Sequence, residues 1–258
     1  MLVDTHCHLD VAEFDHDRAQ VLARAQAAGI ARQVVPAIDA ASWSGLREVC
    51  SADDGLFPAY GLHPMFLDSH RPPHLRELGD WIERERPVAV GECGLDFYVE
   101  GLDVEAQHSY FDGQLALARD LGLPVIVHAR RAVEAVLQSI RRTTPPGGVV
   151  HSFAGSAEQA AQLWKLGFLL GIGGSVTYPR ARRLRALVAE APIEQLLLET
   201  DAPDQPDACH RGQRNEPERL VQVCRTVAEL RGVPFAEVAA ATTANAERLF
   251  KLPSLQRG

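Results

Sequence analysis

The sequence predicts an α/β protein, a (β/α)₈ barrel of the TIM type with extra helices at its C-terminal end. Three observations predict it. Short β-rich runs alternate with longer amphipathic runs eight times; alternation implies parallel pairing, and eight units imply closure rather than an open sheet. The 258 residues match one such barrel, which takes ~250. Four histidines and two carboxylates fall at or just past the predicted C-terminal strand ends, the rim on which barrels of this kind build their sites. A single domain over 1–258 is expected.

The elements follow in order. Leu2–His6 is the first apolar run, and a helical pattern from Asp15 to Ala28 ends at Gly29, a helix stop. Gln33–Ala37 is the second run, followed by a helix over Ala41–Cys50. Phe57–Gly61 precedes a helix over His74–Glu85, and Val88–Glu92 precedes a long one over Glu105–Leu121, closed by Gly122. Pro124–His128 leads into Ala132–Arg142, Gly148–His151 into Ala157–Lys165, and Phe168–Ile172 into Arg180–Glu190. Gln195–Glu199 is the eighth run, and helices over Pro217–Arg231 and Pro234–Phe250 finish the chain. No Gly-x-Gly-x-x-Gly follows the first run, so a dinucleotide fold has no support.

Composition narrows the function classes. The chain is 46% apolar, enough for a large core. It has no apolar stretch near the ~20 residues of a membrane helix and no leader pattern at Met1–Asp4. Five scattered cysteines without a Cys-x-x-Cys spacing fit a reducing compartment, and a cytoplasmic location is expected. Cys7, between two histidines, is expected to pack rather than ligate. A net charge of −8 argues against a broad basic surface that grips nucleic acid nonspecifically. It leaves room for a nucleic-acid substrate drawn to local positive charge.

The chemistry sits in six residues. His6 and His8 are expected to close the first strand, with both imidazoles on one face because a strand repeats every two residues. Glu92 is expected to close the fourth strand, after Val88-Ala89-Val90-Gly91. His128 closes the fifth, His151 the sixth, and Asp201 follows the eighth. A carboxylate ending an apolar strand needs a charge partner, and imidazoles beside it suit a divalent metal. Six ligands exceed one open zinc site and suit two ions ~3.5–4 Å apart. Such a pair needs an anionic bridge. The chain's two lysines, Lys165 and Lys251, lie near no strand end, so Glu92 is the available bridge. His6, His8 and Asp201 are assigned mainly to one ion, and His128 and His151 to the other.

The motifs run nearly end to end. They are Val3-Asp4-Thr5-His6-Cys7-His8-Leu9-Asp10, Gly61-Leu62-His63-Pro64, Gly91-Glu92-Cys93-Gly94-Leu95-Asp96-Phe97-Tyr98, and Leu123–Arg130. They continue with Val150-His151-Ser152-Phe153-Ala154-Gly155, Leu198-Glu199-Thr200-Asp201-Ala202-Pro203, Arg211–Pro217 and Ala244–Phe250. In these the sequence resembles the TatD-type deoxyribonucleases of the amidohydrolase superfamily. The resemblance implies a distorted barrel, a divalent-metal site at Glu92, His128, His151 and Asp201 with the His6/His8 pair, and Mg²⁺ as a working ion. It also implies 3′→5′ exonuclease activity on DNA, preferring single strands. One stretch departs from many members: Asp201-Ala202-Pro203-Asp204-Gln205-Pro206 lacks the serine usual after the aspartate.

Further roles are expected on this basis. Asp201 is the general base, and Glu92 bridges. His63 and Arg130 donate to phosphate oxygens, the alternative for Arg130 being a rim salt bridge. Asp96 either orients a ligand histidine or shapes its turn. Phe97, Tyr98 and Tyr178 flank the mouth and either stack on bases or pack. Arg211 and Arg214 are read as a solvated loop before a nucleic-acid track, and Arg180 to Arg185 as a solvated helix face. Two divalent ions are expected, Mg²⁺ or Mn²⁺ in use, with Zn²⁺, Ni²⁺ or Fe²⁺ accepted by the same donors. The expected partner is single-stranded DNA, with no membrane; a monomer is compatible with the sequence. The competing readings are hydrolysis of an ester, lactone or amide, including removal of an amino acid from tRNA, and a non-catalytic barrel with structural metals.

Overall fold

One side chain from each of eight strands builds the inner core: Val3, Val34, Ala59, Ala89, Ile126, Val149, Leu169 and Leu197. The computed structural model describes residues 1–253; the last five residues of the expected 1–258 domain lie outside it. The strands are β1 (Leu2–Asp4), β2 (Ile30–Pro36), β3 (Leu56–Tyr60), β4 (Ala89–Asp96), β5 (Val125–Arg130), β6 (Gly148–Val150), β7 (Phe168–Ile172) and β8 (Leu196–Leu198). The helices are α1 (Arg18–Ala27), α2 (Trp43–Ser51), α3 (His74–Glu85), α4 (Val104–Leu121), α5 (Val133–Thr143), α6 (Ala157–Lys165), α7 (Arg182–Glu190), α8 (Leu220–Arg231) and α9 (Phe235–Phe250). The strands lie in sequence order and pair in parallel from β1 to β8. This is the (β/α)₈ barrel that the alternation predicts.

Side chains alternate across each strand. The inward set of eight is sealed by Ala246 and Phe250 of α9 and by Leu252. The outward set, including Leu2, Val35, Tyr60, Val90, Val127 and Leu170, packs under the helices. The polar residues of the Ala244–Phe250 motif serve this docking. Asn245 donates to the carbonyls of Ile193 and Leu196 at 2.8 and 2.9 Å. Glu247 receives the buried Arg32 guanidinium at 2.8 Å, which neutralises a charge that burial would otherwise penalise.

Closure between β8 and β1 is made beyond the strand ends. The Thr5 amide donates to Leu198 at 3.0 Å, Asp201 to His6 at 2.8 Å, and His8 to Ala202 at 2.7 Å. Buried Asp4 accepts from the Thr200 amide and hydroxyl at 3.0 and 2.6 Å. The seam that shuts the barrel therefore sets His6 and His8 beside Asp201.

Strand ends that carry expected ligands differ from expectation. β5 runs past His128 to Arg130, so His128 sits inside its strand. β1 stops at Asp4, so His6 and His8 follow the strand, and strand alternation does not aim them. The seam hydrogen bonds do that work. β4 runs past Glu92 to Asp96, with an irregular register between Val90 and Cys93. A close approach of two glycines accommodates this: a Cβ on Gly61 would meet the Gly91 carbonyl carbon at 2.6 Å. Glu92 thus sits inside the strand, not at its end.

Candidate metal centre

Glu92 is 1% exposed and its two oxygens face different imidazoles. Oε2 lies 3.1 Å from His6 Nε2 and 3.5 Å from His8 Nε2. Oε1 lies 2.9 Å from His151 Nε2, 3.1 Å from His128 Nδ1 and 3.1 Å from His63 Nε2. Asp201 Oδ1 is 3.5 and 3.6 Å from the Nε2 atoms of His6 and His8. His6 and His151 stack with ring centroids 4.1 Å apart, which joins the two sets. All six expected ligand residues meet in one place, although they lie on β4 and β5 and in the segments after β1, β6 and β8.

Hydrogen bonds on the far side of two rings decide which nitrogens are free. His8 Nδ1 lies 3.1 Å from the Pro36 carbonyl, which only accepts, so the proton is on Nδ1 and Nε2 carries a lone pair. His128 Nε2 lies 2.9 Å from Asp96 Oδ2, leaving the lone pair on Nδ1. Both lone pairs face a carboxylate oxygen and another imidazole: His8 Nε2 is 3.2 Å from His6 Nε2, and His128 Nδ1 is 3.2 Å from His151 Nε2. Imidazole lone pairs gathered around carboxylate oxygens at this range form a donor set that fits divalent metal.

The electrostatics agree. Burial opposes the Glu92 charge, but the imidazoles of His63, His151 and His6 outweigh it and hold the carboxyl well below its ordinary range. Burial also opposes charge on His8 and His151. The adjoining carboxylates, Glu92 foremost, overcome it, pushing His8 up to about 9 and His151 well above its usual value. Protons and metal ions compete for the same lone pairs. Burial raises Asp201 to about 6, close to the working range of a general base.

His63 is set apart from the other histidines. Its Nδ1 accepts from the Met65 amide at 3.1 Å, which places the ring proton on Nε2, a donor rather than a ligand atom. Burial lowers it to about 4, so the ring is neutral. Arg130 is exposed at the end of β5. It forms no rim salt bridge among the described residues; its guanidinium lies 3.7 Å over the Tyr98 ring. Asp96 fills both roles considered for it. It orients His128, and its Oδ1 accepts from the amides of Tyr98 and Val99 at 2.8 and 3.0 Å. Cys7 is fully buried.

Residues read as loop or rim are partly committed elsewhere. Arg214 is held by Asp17 at 2.6 and 2.8 Å and by Glu216 at 2.9 Å, so it braces α1 rather than lying free in solvent. Tyr178 donates its hydroxyl to Pro206 at 2.9 Å.

Three residues beside the centre escaped the sequence reading. Glu199 is fully buried; its Oε1 accepts from the Ser152 amide and lies 3.7 Å from His151 Nδ1. The signal was present, because Glu199 ends the apolar run Leu196-Leu197-Leu198. A Cβ on Gly171 would lie 2.1 Å from Glu199 Oε2, so only glycine leaves room for this carboxylate. Gln205 donates to Asp201 Oδ2 and accepts from Ser152 Oγ at 2.7 Å. No spacing signals that chain of contacts.

Comparison with known proteins identifies the family. The family model described as TatD related DNase matches residues 3–251. The uncharacterized metal-dependent hydrolase YjjV of Escherichia coli K12 is 40% identical over 254 residues, covering 97% of this chain and 98% of that protein. Its crystal structure superimposes with a TM-score of 0.94 over 98% of both chains. The 3′-5′ ssDNA/RNA exonuclease TatD of Klebsiella pneumoniae (strain 342) is 33% identical over 258 residues, covering 96% of this chain and 97% of that one. No helix among the described residues is long and apolar enough to cross a membrane. With a matching family model over almost its whole length, the chain belongs to the TatD-related DNase family and is a metal-dependent hydrolase.

Proposed function

We propose that this chain hydrolyses the phosphodiester bonds of single-stranded DNA from the 3′ end, with two divalent ions held by His6, His8, Glu92, His128, His151 and Asp201. The observation that carries the reading is the two-sided carboxylate of Glu92, with one oxygen toward His6 and His8 and the other toward His128 and His151. The substrate is supported by the relative from Klebsiella pneumoniae named an ssDNA/RNA exonuclease. Bound divalent ions supply Lewis acidity to the phosphate and acidify water; Mg²⁺ and Mn²⁺ suit a mixed carboxylate and imidazole set.

The chain's own groups have separate tasks. Asp201, ionised at neutral pH, accepts the proton of the attacking water. The water oxygen bonds to phosphorus, the bond to the 3′ oxygen breaks, and that oxygen recovers the proton from the Asp201 carboxyl. His63 offers its Nε2 proton to a non-bridging oxygen, and Arg130 offers its guanidinium to the next phosphate. Asp96 keeps His128 in the ligating tautomer.

The test is incubation of a 5′-labelled single-stranded oligonucleotide with Mg²⁺ or Mn²⁺, with a chelator control and the Asp201→Asn variant alongside. A ladder shortening from the 3′ end, lost with chelator and in the variant, is expected. A folded, metal-loaded protein that cuts no oligonucleotide under any ion would overturn the reading and turn attention to ester, amide and aminoacyl-tRNA substrates.

A further inference from the structure

Large apolar side chains are exposed at few places among the described residues, and four of the seven, Met65, Phe66, Phe97 and Tyr98, follow β3 and β4 beside the centre. Scattered exposed apolar residues need no explanation, but a cluster next to a functional rim marks a contact surface. Tyr98 is the most exposed of the four, at 47%. It is also tied to the centre through a single carboxylate: Asp96 Oδ1 accepts from the Tyr98 amide at 2.8 Å, and Asp96 Oδ2 lies 2.9 Å from His128 Nε2.

The Tyr98 ring lies beneath two cations. The Arg130 guanidinium is 3.7 Å from its centroid and that of Arg131 is 4.6 Å away. Neither has a carboxylate within salt-bridge distance among the described residues, in a chain whose net charge is −8. Arg131 holds a left-handed backbone, φ 55°, which a non-glycine residue adopts only where its surroundings compel it. That turn is what lets consecutive residues at the end of a strand flank one ring. Tyr98 remains 47% exposed with the Arg130 guanidinium over its ring, and an exposed aromatic beside two guanidinia without carboxylate partners matches a ligand with phosphates spaced along flat, unstacked bases. A single strand offers both; in a duplex the base faces are covered by their neighbours.

We infer that Tyr98, framed by Arg130 and Arg131, is a base-stacking ledge that receives single-stranded nucleic acid beside the metal centre. The inference rests on the nuclease reading above. It assigns Tyr98 the base and the arginines the flanking phosphates, so the grip on substrate is local to the β4–β5 side of the mouth and needs no basic surface elsewhere.

The experiment compares fluorescein-labelled oligothymidylate with an abasic strand of the same length, by anisotropy in chelator, using wild type, Tyr98→Ala, Tyr98→Phe and Arg131→Gln. The expected result is about tenfold or greater loss of oligothymidylate affinity in Tyr98→Ala, no loss for the abasic strand, and recovery in Tyr98→Phe. Arg131→Gln should weaken both strands and reduce the salt slope by about 0.7. With Mg²⁺, Tyr98→Ala should raise KM on the oligonucleotide and leave kcat near wild type. If wild type cleaves the oligonucleotide and Tyr98→Ala binds and cleaves it equally well, the ledge is overturned and the nuclease reading stands. Equal losses for both strands would overturn stacking. A wild type that cleaves no phosphodiester overturns both. If Tyr98→Ala fails to fold, Arg131→Gln alone decides: an unchanged salt slope overturns the ledge.

Discussion

Gln205 donates its side-chain amide to Oδ2 of Asp201, while Oδ1 of the same carboxylate faces His6 and His8. Asp201 and Gln205 both have left-handed backbones, φ 58° and 48°, so the loop after β8 is bent to bring them together. Gln205→Ala frees the carboxylate to rotate away. A fall in kcat of about 10- to 100-fold is expected, as for outer residues that orient metal ligands. Steady-state kinetics on the oligonucleotide check it, with circular dichroism to show an intact fold. Ser152→Ala, which removes only the contact to Gln205 Oε1, should lose less.

Glu92→Gln replaces the one anion that faces both imidazole sets. A neutral amide cannot offset two divalent charges, so metal content should fall below one ion per chain, read by elemental analysis after gel filtration. Chelation of wild type should lower its melting temperature, because ligands that bind only the folded state stabilise it. Chelator should do nothing further to Glu92→Gln. A variant that keeps two ions would remove Glu92 from the bridging role.

The brace between the loop before α8 and helix α1 gives stability a defined pH dependence. Hydrogen bonding from Arg214 lowers Asp17 from its ordinary 3.8 to about 2. A depressed folded-state value means the folded chain binds fewer protons than the unfolded chain between these limits. The contribution is therefore present above about 4 and disappears as pH falls through about 2. Asp17→Asn should have a lower urea midpoint than wild type at pH 7, and the difference should close on approaching pH 2. A gap unchanged over that range would show that the charge on Asp17 is not what holds Arg214.

Gly171→Ala tests the packing under His151. The added Cβ would stand 2.1 Å from Glu199 Oε2, against a carboxylate buried in a rigid barrel. Overpacking of this kind costs about 1–3 kcal/mol, measurable by denaturant unfolding. Activity should fall as well, since Glu199 must shift from its place beside the His151 ring.

Much of the barrel was legible because its signal is local. Apolar runs of strand length alternate with helical patterns, and the ends of α3 and α6 fall at His74–Glu85 and Ala157–Lys165 as expected. The candidate centre was legible for a related reason: a carboxylate or histidine directly after an apolar run stands out in one dimension, and Glu92, His128 and His151 each follow one. The extension of β4 to Asp96 was not, since Cys93-Gly94-Leu95 reads equally as a turn. Nor was the state of His63, whose ring proton is assigned by the Met65 amide in the next 3₁₀ turn.

By itself the sequence determined the order of the elements and the kinds of side chain brought to one rim, because periodicity and residue chemistry act over a few positions. Only the tertiary structure decided which atoms face one another. Glu92 divides its oxygens between two sets of histidines, His6 and His8 reach Asp201 across the closing seam, Gln205 restrains Asp201, and the Arg130 guanidinium lies over the ring of Tyr98 rather than in a rim salt bridge. All but the Gln205–Asp201 contact join residues far apart in the chain, and the geometry is set by how eight strands close and how loops bend at the rim, which no local pattern encodes.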